Sequence, residues 1–314
     1  MRILITGITG FAGGHLADFL SHKKGLEIYG LARRTRPGQK KIYSCDICDT
    51  KKLAAVIRQV RPERIFHLAG QASIQKSWED PKDTFEQNLI GTLNLFEAVR
   101  SAKLSPWIQV TGSAHEYGIP KGKVNRIDEA TPMNPLSPYA VSKISQDLLA
   151  NLYAWRFGMK IVRTRAFNHI GPRQSPDFVT ASFARQVALI EAGRQEPEIL
   201  AGNLDSIRDY TDARDVARAY WLSLEKGKAG EVYNIASGKG HNARQILAIY
   251  LKLSRVKFKV KLDQARLRPT DSPRLVGDAQ KLRRQTGWSP RIPFERSLAD
   301  ILKFWREKIK HEKN

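Results

Sequence analysis

Short apolar runs alternate with helical periodicity through the first half of the chain. Met1–Thr6, Leu26–Ala32, Arg64–Leu68, Trp107–Thr111 and Lys160–Arg165 read as buried strands. Between them, Phe11–Ser21, Lys51–Val60, Asp83–Ser101 and Pro138–Phe157 carry apolar residues at helical spacing, as in Phe11, Ala12, Leu16, Phe19 and Leu20. Strand and helix in alternation predict an α/β fold with a doubly wound parallel sheet and right-handed crossovers. The second half is less regular. Thr180–Ala192, Asp212–Glu225, Ala243–Leu253 and Phe294–Ile309 read as helices, Glu231–Ala236 as a further buried strand and Lys257–Lys261 as a weakly alternating one. The expected division is a nucleotide-binding domain over residues 1–168, to which 209–239 returns, and a smaller α/β substrate lobe from 169–208 and 240–314.

Composition narrows the class. With 41% hydrophobic and 27% charged residues in 314, this is the make-up of an ordinary globular protein. The chain opens directly on a strand, and no apolar run is long enough to cross a membrane, so a cytoplasmic protein without membrane attachment is expected. The cysteines, Cys45 and Cys48, are spaced C-x-x-C, but no second pair completes a zinc site, and they read as small residues at a strand end. Lys plus Arg exceeds Asp plus Glu by 53 to 31, a net charge of +22 that favours phosphorylated ligands or polyanions. The basic residues are scattered and lack the aromatic-studded pattern of RNA binding. A solvated basic surface with a diphosphate ligand is therefore expected, and nucleic acid is not.

The first strand runs into Gly7-Ile8-Thr9-Gly10-Phe11-Ala12-Gly13 and then into a helix. Glycines at that spacing allow a tight turn, close approach of backbone to a pyrophosphate, and a helix N-terminus aimed at it. The strand–turn–helix setting makes this a Rossmann dinucleotide site built on Gly7, Thr9, Gly10, Phe11, Ala12 and Gly13. The second strand ends in Arg33-Arg34, where NAD enzymes of this fold carry an acid, and arginine grips a phosphate bidentately. NADP(H) is the expected cofactor, with NAD(H) left open.

Tyr139 and Lys143 form Y-x-x-x-K on a helix and so share a face. A nearby cation is expected to lower the phenol's pKa, fitting Tyr139 to exchange a proton with a substrate oxygen. Ser113, just after a strand in the same half, can bond the same oxygen.

With the glycine motif, these residues resemble the extended short-chain dehydrogenase/reductases. His67 to Ser73, Asp80-Pro81, Asn88 and Gly91-Thr92 extend the resemblance. The segments Arg165–Arg173, Gly202–Tyr210, Arg268–Asp271, Gly277-Asp278 and Thr286–Trp288 carry it across the chain, towards the branch acting on GDP sugars. The resemblance implies catalytic Ser113, Tyr139 and Lys143. It places Asp46 and Ile47 beside adenine, Leu68, Ala69 and Gly70 along the cofactor, and His169 near the nicotinamide. For the substrate it implies Ser113, Glu116, Asn168, Arg185, Arg208, Arg268 and Asp271. Dehydratases of the branch read T-S-E-L-Y-G; here His115 fills the glutamate slot and Glu116 follows. A one-residue shift on an extended segment turns a side chain to the opposite face. The expectation is thus a reductase acting on a GDP-linked 4-keto-6-deoxy sugar, with a dehydratase or an epimerase as alternatives. A homodimer is expected through Asp83–Ser101 and Pro138–Phe157, on Leu93, Phe96, Leu149 and Tyr153.

Overall fold

The computed structural model describes residues 1–35, 41–120, 125–266 and 272–312. In the first half the elements are β1 (Arg2–Thr6), α1 (Phe11–Ser21), β2 (Glu27–Ala32), β3 (Ile42–Ser44), α2 (Thr50–Val60), β4 (Arg64–His67), α3 (Ile74–Glu79), α4 (Pro81–Phe85), α5 (Gly91–Ser101), β5 (Trp107–Ser113), α6 (Pro138–Phe157) and β6 (Ile161–Ala166). The second half adds β7 (Asn168–Ile170), α7 (Val179–Glu191), β8 (Glu198–Ala201), β9 (Ile207–Asp212), α8 (Ala213–Lys226), β10 (Val232–Ile235), β11 (Gly240–His241), α9 (Ala243–Leu253), β12 (Lys259–Leu262), β13 (Arg274–Leu275), α10 (Gln280–Thr286) and α11 (Phe294–His311).

The main sheet has seven parallel strands in the order β10-β6-β5-β4-β1-β2-β3. Its strands are apolar on both faces because helices cover both. Leu16 and Leu20 of α1 pack with Val216, Tyr220 and Leu224 of α8 on one face. Leu53 and Ile57 of α2, Leu95 and Phe96 of α5 and Ala150 of α6 pack on the other. The chain reverses direction across the sheet between β1 and β4, and the crevice at their C-terminal ends is where ligands of such sheets bind.

The second lobe has its own core, in which Phe183 and Val187 of α7, Ile246 and Tyr250 of α9, and Ile301 and Trp305 of α11 meet. A small sheet joins β9 to β7, β11 and β13. β7 follows β6 after Phe167 alone, so the chain passes from the main sheet to the small one in a single residue.

The structure revises the sequence reading in places. The helix expected over Asp83–Ser101 begins at Pro81 and contains a π-helical turn, Glu86–Ile90, between α4 and α5. Strands of two to four residues such as β3, β7, β8, β11 and β13 are too short to show a period, as are the short helices α3 and α10. Phe96 and Tyr153 are buried, and Leu93 and Leu149 pack against the same core. Phe96 and Tyr153 belong to the protomer's interior, while Leu93 and Leu149 are only partly covered.

Asp209 on β9 joins the lobes. It is fully buried and accepts hydrogen bonds from the Ser237 amide (2.8 Å) and hydroxyl (2.6 Å), the Gly238 amide (2.8 Å) and the Gly277 amide (3.2 Å). These donors lie just beyond β10 and β13, so one carboxylate pins three segments. Asp209→Ala strands these donors in the interior and should lower the unfolding free energy by roughly 3 kcal/mol or more. Chemical denaturation read by tryptophan fluorescence checks this.

Candidate active site

The turn after β1 is as tight as its glycines allow. A Cβ on Gly13 would lie 2.2 Å from the Gly7 carbonyl oxygen, and Gly7, at φ +71°, leaves no room beside the Ala69 amide (2.9 Å). Helix α1 starts from Gly10 with no side-chain cap and no acid in its first turn. Its N-terminal amides are thus open to an anion, and Thr9 and Gly10 are exposed there. These features fit a dinucleotide pyrophosphate. Phe11 stacks on His169 at 5.8 Å, which brings β7 to the cofactor side. Arg33 and Arg34 project as exposed side chains from the end of β2. Asp46 is half-buried and accepts the Cys48 amide at 2.8 Å. Ile47 is packed inward against Gly91, so only its main chain can border a ligand.

Ser113, Tyr139 and Lys143 come together at the ends of β5 and α6. The Ser113 side chain favours the ionised form of the Tyr139 phenol. Burial pushes the Tyr139 phenol up to about 12, against the expectation of a lowered value. The reason is geometric: the Lys143 ammonium turns the other way, donating to the Thr111 carbonyl (2.9 Å) and to Gln146 Oε1 (2.8 Å). Burial lowers Lys143 to about 8. Tyr139 is therefore a protonated phenol at neutral pH, the form that donates a proton.

A polar chain runs on from Lys143 and was not legible in the sequence. Gln146 Nε2 donates to Thr92 Oγ1 (2.6 Å), and the Thr92 hydroxyl donates to the Asn88 carbonyl (2.6 Å). His67 Nε2 must then carry the hydrogen it shares with Thr92 Oγ1 (2.9 Å), leaving Nδ1 to accept from Thr6 Oγ1 (2.8 Å). Burial, helped by Lys143, holds His67 down to about 3, so it stays neutral. Thr6 Oγ1 in turn accepts the Leu68 and Ala69 amides. Asn88, in the π-helical turn, donates to Ser142 Oγ and the Gln71 carbonyl and accepts the Gln71 amide. Its Oδ1 would be 2.5 Å from a Cβ on Gly70. His67, Asn88 and Thr92 stood in the family-like segments, but their roles depend on a π-turn that periodicity does not reveal.

Glu116 departs from its expected place. It is 0% exposed, accepts the Ser113 amide at 2.6 Å and faces Arg165 Nε at 3.0 Å. It lies beneath the catalytic turn and cannot meet a substrate. His115 takes the open side, its ring edge towards Tyr139 at 6.1 Å.

Among the other residues expected to hold substrate, Asn168 is half-buried at the start of β7. Arg208 is buried, with one Nη donating to the Ile207 carbonyl. The Arg185 guanidinium stands over Trp305 at 6.0 Å, on the α11 side of α7, where it packs against the lobe's own core. Arg268 and Asp271 lie outside the described residues.

The sequence from residue 4 to residue 301 matches the family model described as GDP-mannose 4,6 dehydratase. The chain belongs to this family of extended short-chain dehydrogenase/reductases. It is 32% identical over 312 residues to GDP-6-deoxy-D-mannose reductase of Pseudomonas aeruginosa, covering 99% of each chain. It is also 32% identical to GDP-mannose 4,6 dehydratase 2 of Arabidopsis thaliana, over 99% of this chain and 88% of the relative. Among solved structures, RMD from Pseudomonas aeruginosa complexed with NADPH superposes with a TM-score of 0.88 at 32% identity, covering 98% of this chain and 99% of that one. A Thermus thermophilus UDP-glucose 4-epimerase complex with NAD gives 0.86, also at 32% identity, with 98% and 99% covered. The family fold is thus one on which the Pseudomonas reductase holds NADPH and the Thermus epimerase holds NAD. Among the described residues, no helix is long and apolar enough to cross a membrane.

Proposed function

We propose that this enzyme reduces the C4 ketone of GDP-4-keto-6-deoxy-D-mannose to give GDP-D-rhamnose. The observation that carries the reading is the burial of Glu116. Elimination of water across C5–C6 needs a base facing the sugar, and the only carboxylate of the turn Ser113–Gly118 is sealed beneath it against Arg165. Ketone reduction needs only a hydride and a proton. Bound NADPH supplies the hydride. Ser113 orients the ketone oxygen, the protonated Tyr139 gives it a proton, and Lys143 holds the cofactor's ribose while its charge assists the proton's departure.

The remaining assignments follow the same reading. Gly7 to Gly13 with Leu68, Ala69 and Gly70 enclose the dinucleotide, Arg33 and Arg34 meet the 2′-phosphate, Asp46 and Ile47 border adenine, and His169 borders the nicotinamide. Asn168 and Arg208 bind the sugar nucleotide, with Arg268 and Asp271 from the segment beyond the described residues. We place the enzyme in the cytoplasm, in keeping with the free Cys45 and Cys48. We also propose a homodimer. Val141, Leu148, Leu152 and Trp155 form an exposed apolar stripe on α6 beside Ile90, and Trp155 is 80% exposed.

Purified enzyme should consume NADPH, followed by absorbance, when given GDP-4-keto-6-deoxy-D-mannose, and Tyr139→Phe should lower kcat about a hundred- to ten-thousand-fold. Conversion of GDP-mannose without added cofactor, and no use of the keto sugar, would establish a dehydratase instead. Arg33→Ala with Arg34→Ala should raise the Kd for NADPH about ten- to a hundredfold, or ~1.4–2.8 kcal/mol, and leave that for NADH unchanged in fluorescence titrations. Trp155→Glu should convert dimer to monomer in light scattering.

A further inference from the structure

Apart from the stripe on α6, a second run of exposed apolar side chains follows helix α9: Leu251, Val256, Val260 and Leu262. It is interleaved with cations. Between Glu231 and Asp263 the chain has no acidic residue, and Lys252, Arg255, Lys257, Lys259 and Lys261 crowd the end of that stretch. The proposed reaction uses none of these groups.

The run ends in β12, which pairs in parallel with β8 and, among the described residues, with no other strand. All four of its residues are exposed. The Lys259 amide donates to the Pro197 carbonyl and the Asp263 amide to the Ala201 carbonyl, both at 2.8 Å. A strand turns successive main-chain groups to opposite edges, so the amides and carbonyls of Val260 and Leu262 lie on the open edge. Side chains alternate between the faces. The register sets Val260 beside Ile199 and Leu262 beside Ala201, which are both buried. Val260 and Leu262 thus continue the core face of the lobe beyond its cover, and they are 42% and 67% exposed. Lys259 and Lys261 take the opposite face, beside Glu198 and Leu200. Lys261 reaches Glu198 at 3.8 Å, an exposed pair that contributes little.

A bare edge with an apolar overhang is prone to pairing, and lysines are a common guard against it. Here the guard is selective. Two copies of β12 laid edge to edge would set lysine against lysine, which disfavours a second copy of this chain. A strand of alternating acidic and apolar residues meets the opposite conditions. Its carboxylates fall beside Lys259 and Lys261 on one face, its apolar side chains cover Val260 and Leu262 on the other, and its main chain bonds the open groups. Just before β12, a hollow of about 380 Å³ is lined by Leu251, Ser254, Arg255, Val256, Lys257 and Phe258. It can take a large apolar side chain at the end of such a segment, with Arg255 and Lys257 for a further carboxylate.

We propose that the open edge of β12 is a docking site for an extended acidic segment of a partner protein, added as a third strand to the β8–β12 sheet. Main-chain hydrogen bonds supply the attachment, and the lysine face and the apolar face set which sequences fit. The site lies outside the residues assigned to the cofactor and the sugar nucleotide.

The test uses the full-length enzyme and a fluorescein-labelled peptide of alternating glutamate and valine, followed by fluorescence anisotropy. The peptide should bind with a Kd on the order of 100 μM, and more weakly as salt is raised. A peptide of the same composition, with its glutamates and valines in separate blocks, should bind about tenfold more weakly or worse. Val260→Pro removes a donor from the open edge and leaves the amides that bond β8 in place. It should weaken the alternating peptide about tenfold, with Tm and NADPH consumption as in the unsubstituted enzyme. Lys259→Glu with Lys261→Glu should reject the acidic peptide and bind one of alternating lysine and valine. No saturable binding of the acidic peptide by about 1 mM overturns the proposal. Binding that the blocked peptide matches and Val260→Pro leaves unchanged also overturns it, since charge alone then explains it. Single-stranded DNA and phosphatidylserine vesicles, run alongside, show in that case whether the charge serves nucleic acid or a membrane instead.

Discussion

A buried ammonium is tolerated only when its hydrogens are bonded and its charge is answered, and in this enzyme that constraint organises the site. Lys143 donates to Thr111 at the end of β5 and to Gln146 one turn along α6. Gln146 passes the demand to Thr92, Thr92 to His67, and His67 to Thr6 at the end of β1. Thr6 holds the Leu68 and Ala69 amides, which border the glycine turn. One hydrogen-bonded series thus ties Lys143 to the strand that runs into the glycine turn. The π-helical turn at Glu86–Ile90 belongs to this solution, since it places Asn88 against Gln71 and Ser142 one helical turn before Thr92. A helix with one extra residue in a turn is less stable than a regular one, and such turns persist where side chains must be aimed.

What could be read from the sequence was what depends on local spacing. Gly7, Gly10 and Gly13 sit between a strand and a helix, and Tyr139 and Lys143 share a face at i and i+4, so both motifs survive translation into three dimensions. Alternation of apolar runs gave the doubly wound sheet, because buried parallel strands are apolar throughout. What depends on phase or on long-range partners was not legible. Glu116 follows the His115 slot by one residue, and a short 3₁₀ turn there, Ala114–Glu116, buries it instead of offering it to the sugar. Burial raises the Tyr139 phenol, and the Lys143 ammonium, bonded to Thr111 and Gln146, does not offset it. The π-turn interrupts a helix whose apolar pattern looks continuous.

The two lobes are joined by devices that no local pattern announces. Phe167 alone separates β6 of the main sheet from β7 of the small one. Asp209 answers amides from beyond β10 and β13 at once, and Ile127 bridges to Gly277 beside it. Tyr117, next to Glu116, donates to Asn234 Oδ1 on β10, and the Asn234 amide binds Glu129. The turn after β5 is therefore braced from the β10 edge of the main sheet as well as from α6.

This bracing bears on how one family supports both elimination and reduction. On the reading proposed above, Ser113, Tyr139 and Lys143 would serve either chemistry, so the trio does not choose between them. The choice falls to the residues of the turn between Ser113 and Gly118. A carboxylate that faces the sugar can take a proton from carbon. Glu116 is turned inward, onto Arg165 and the Ser113 amide, and on the reading proposed above does not reach carbon.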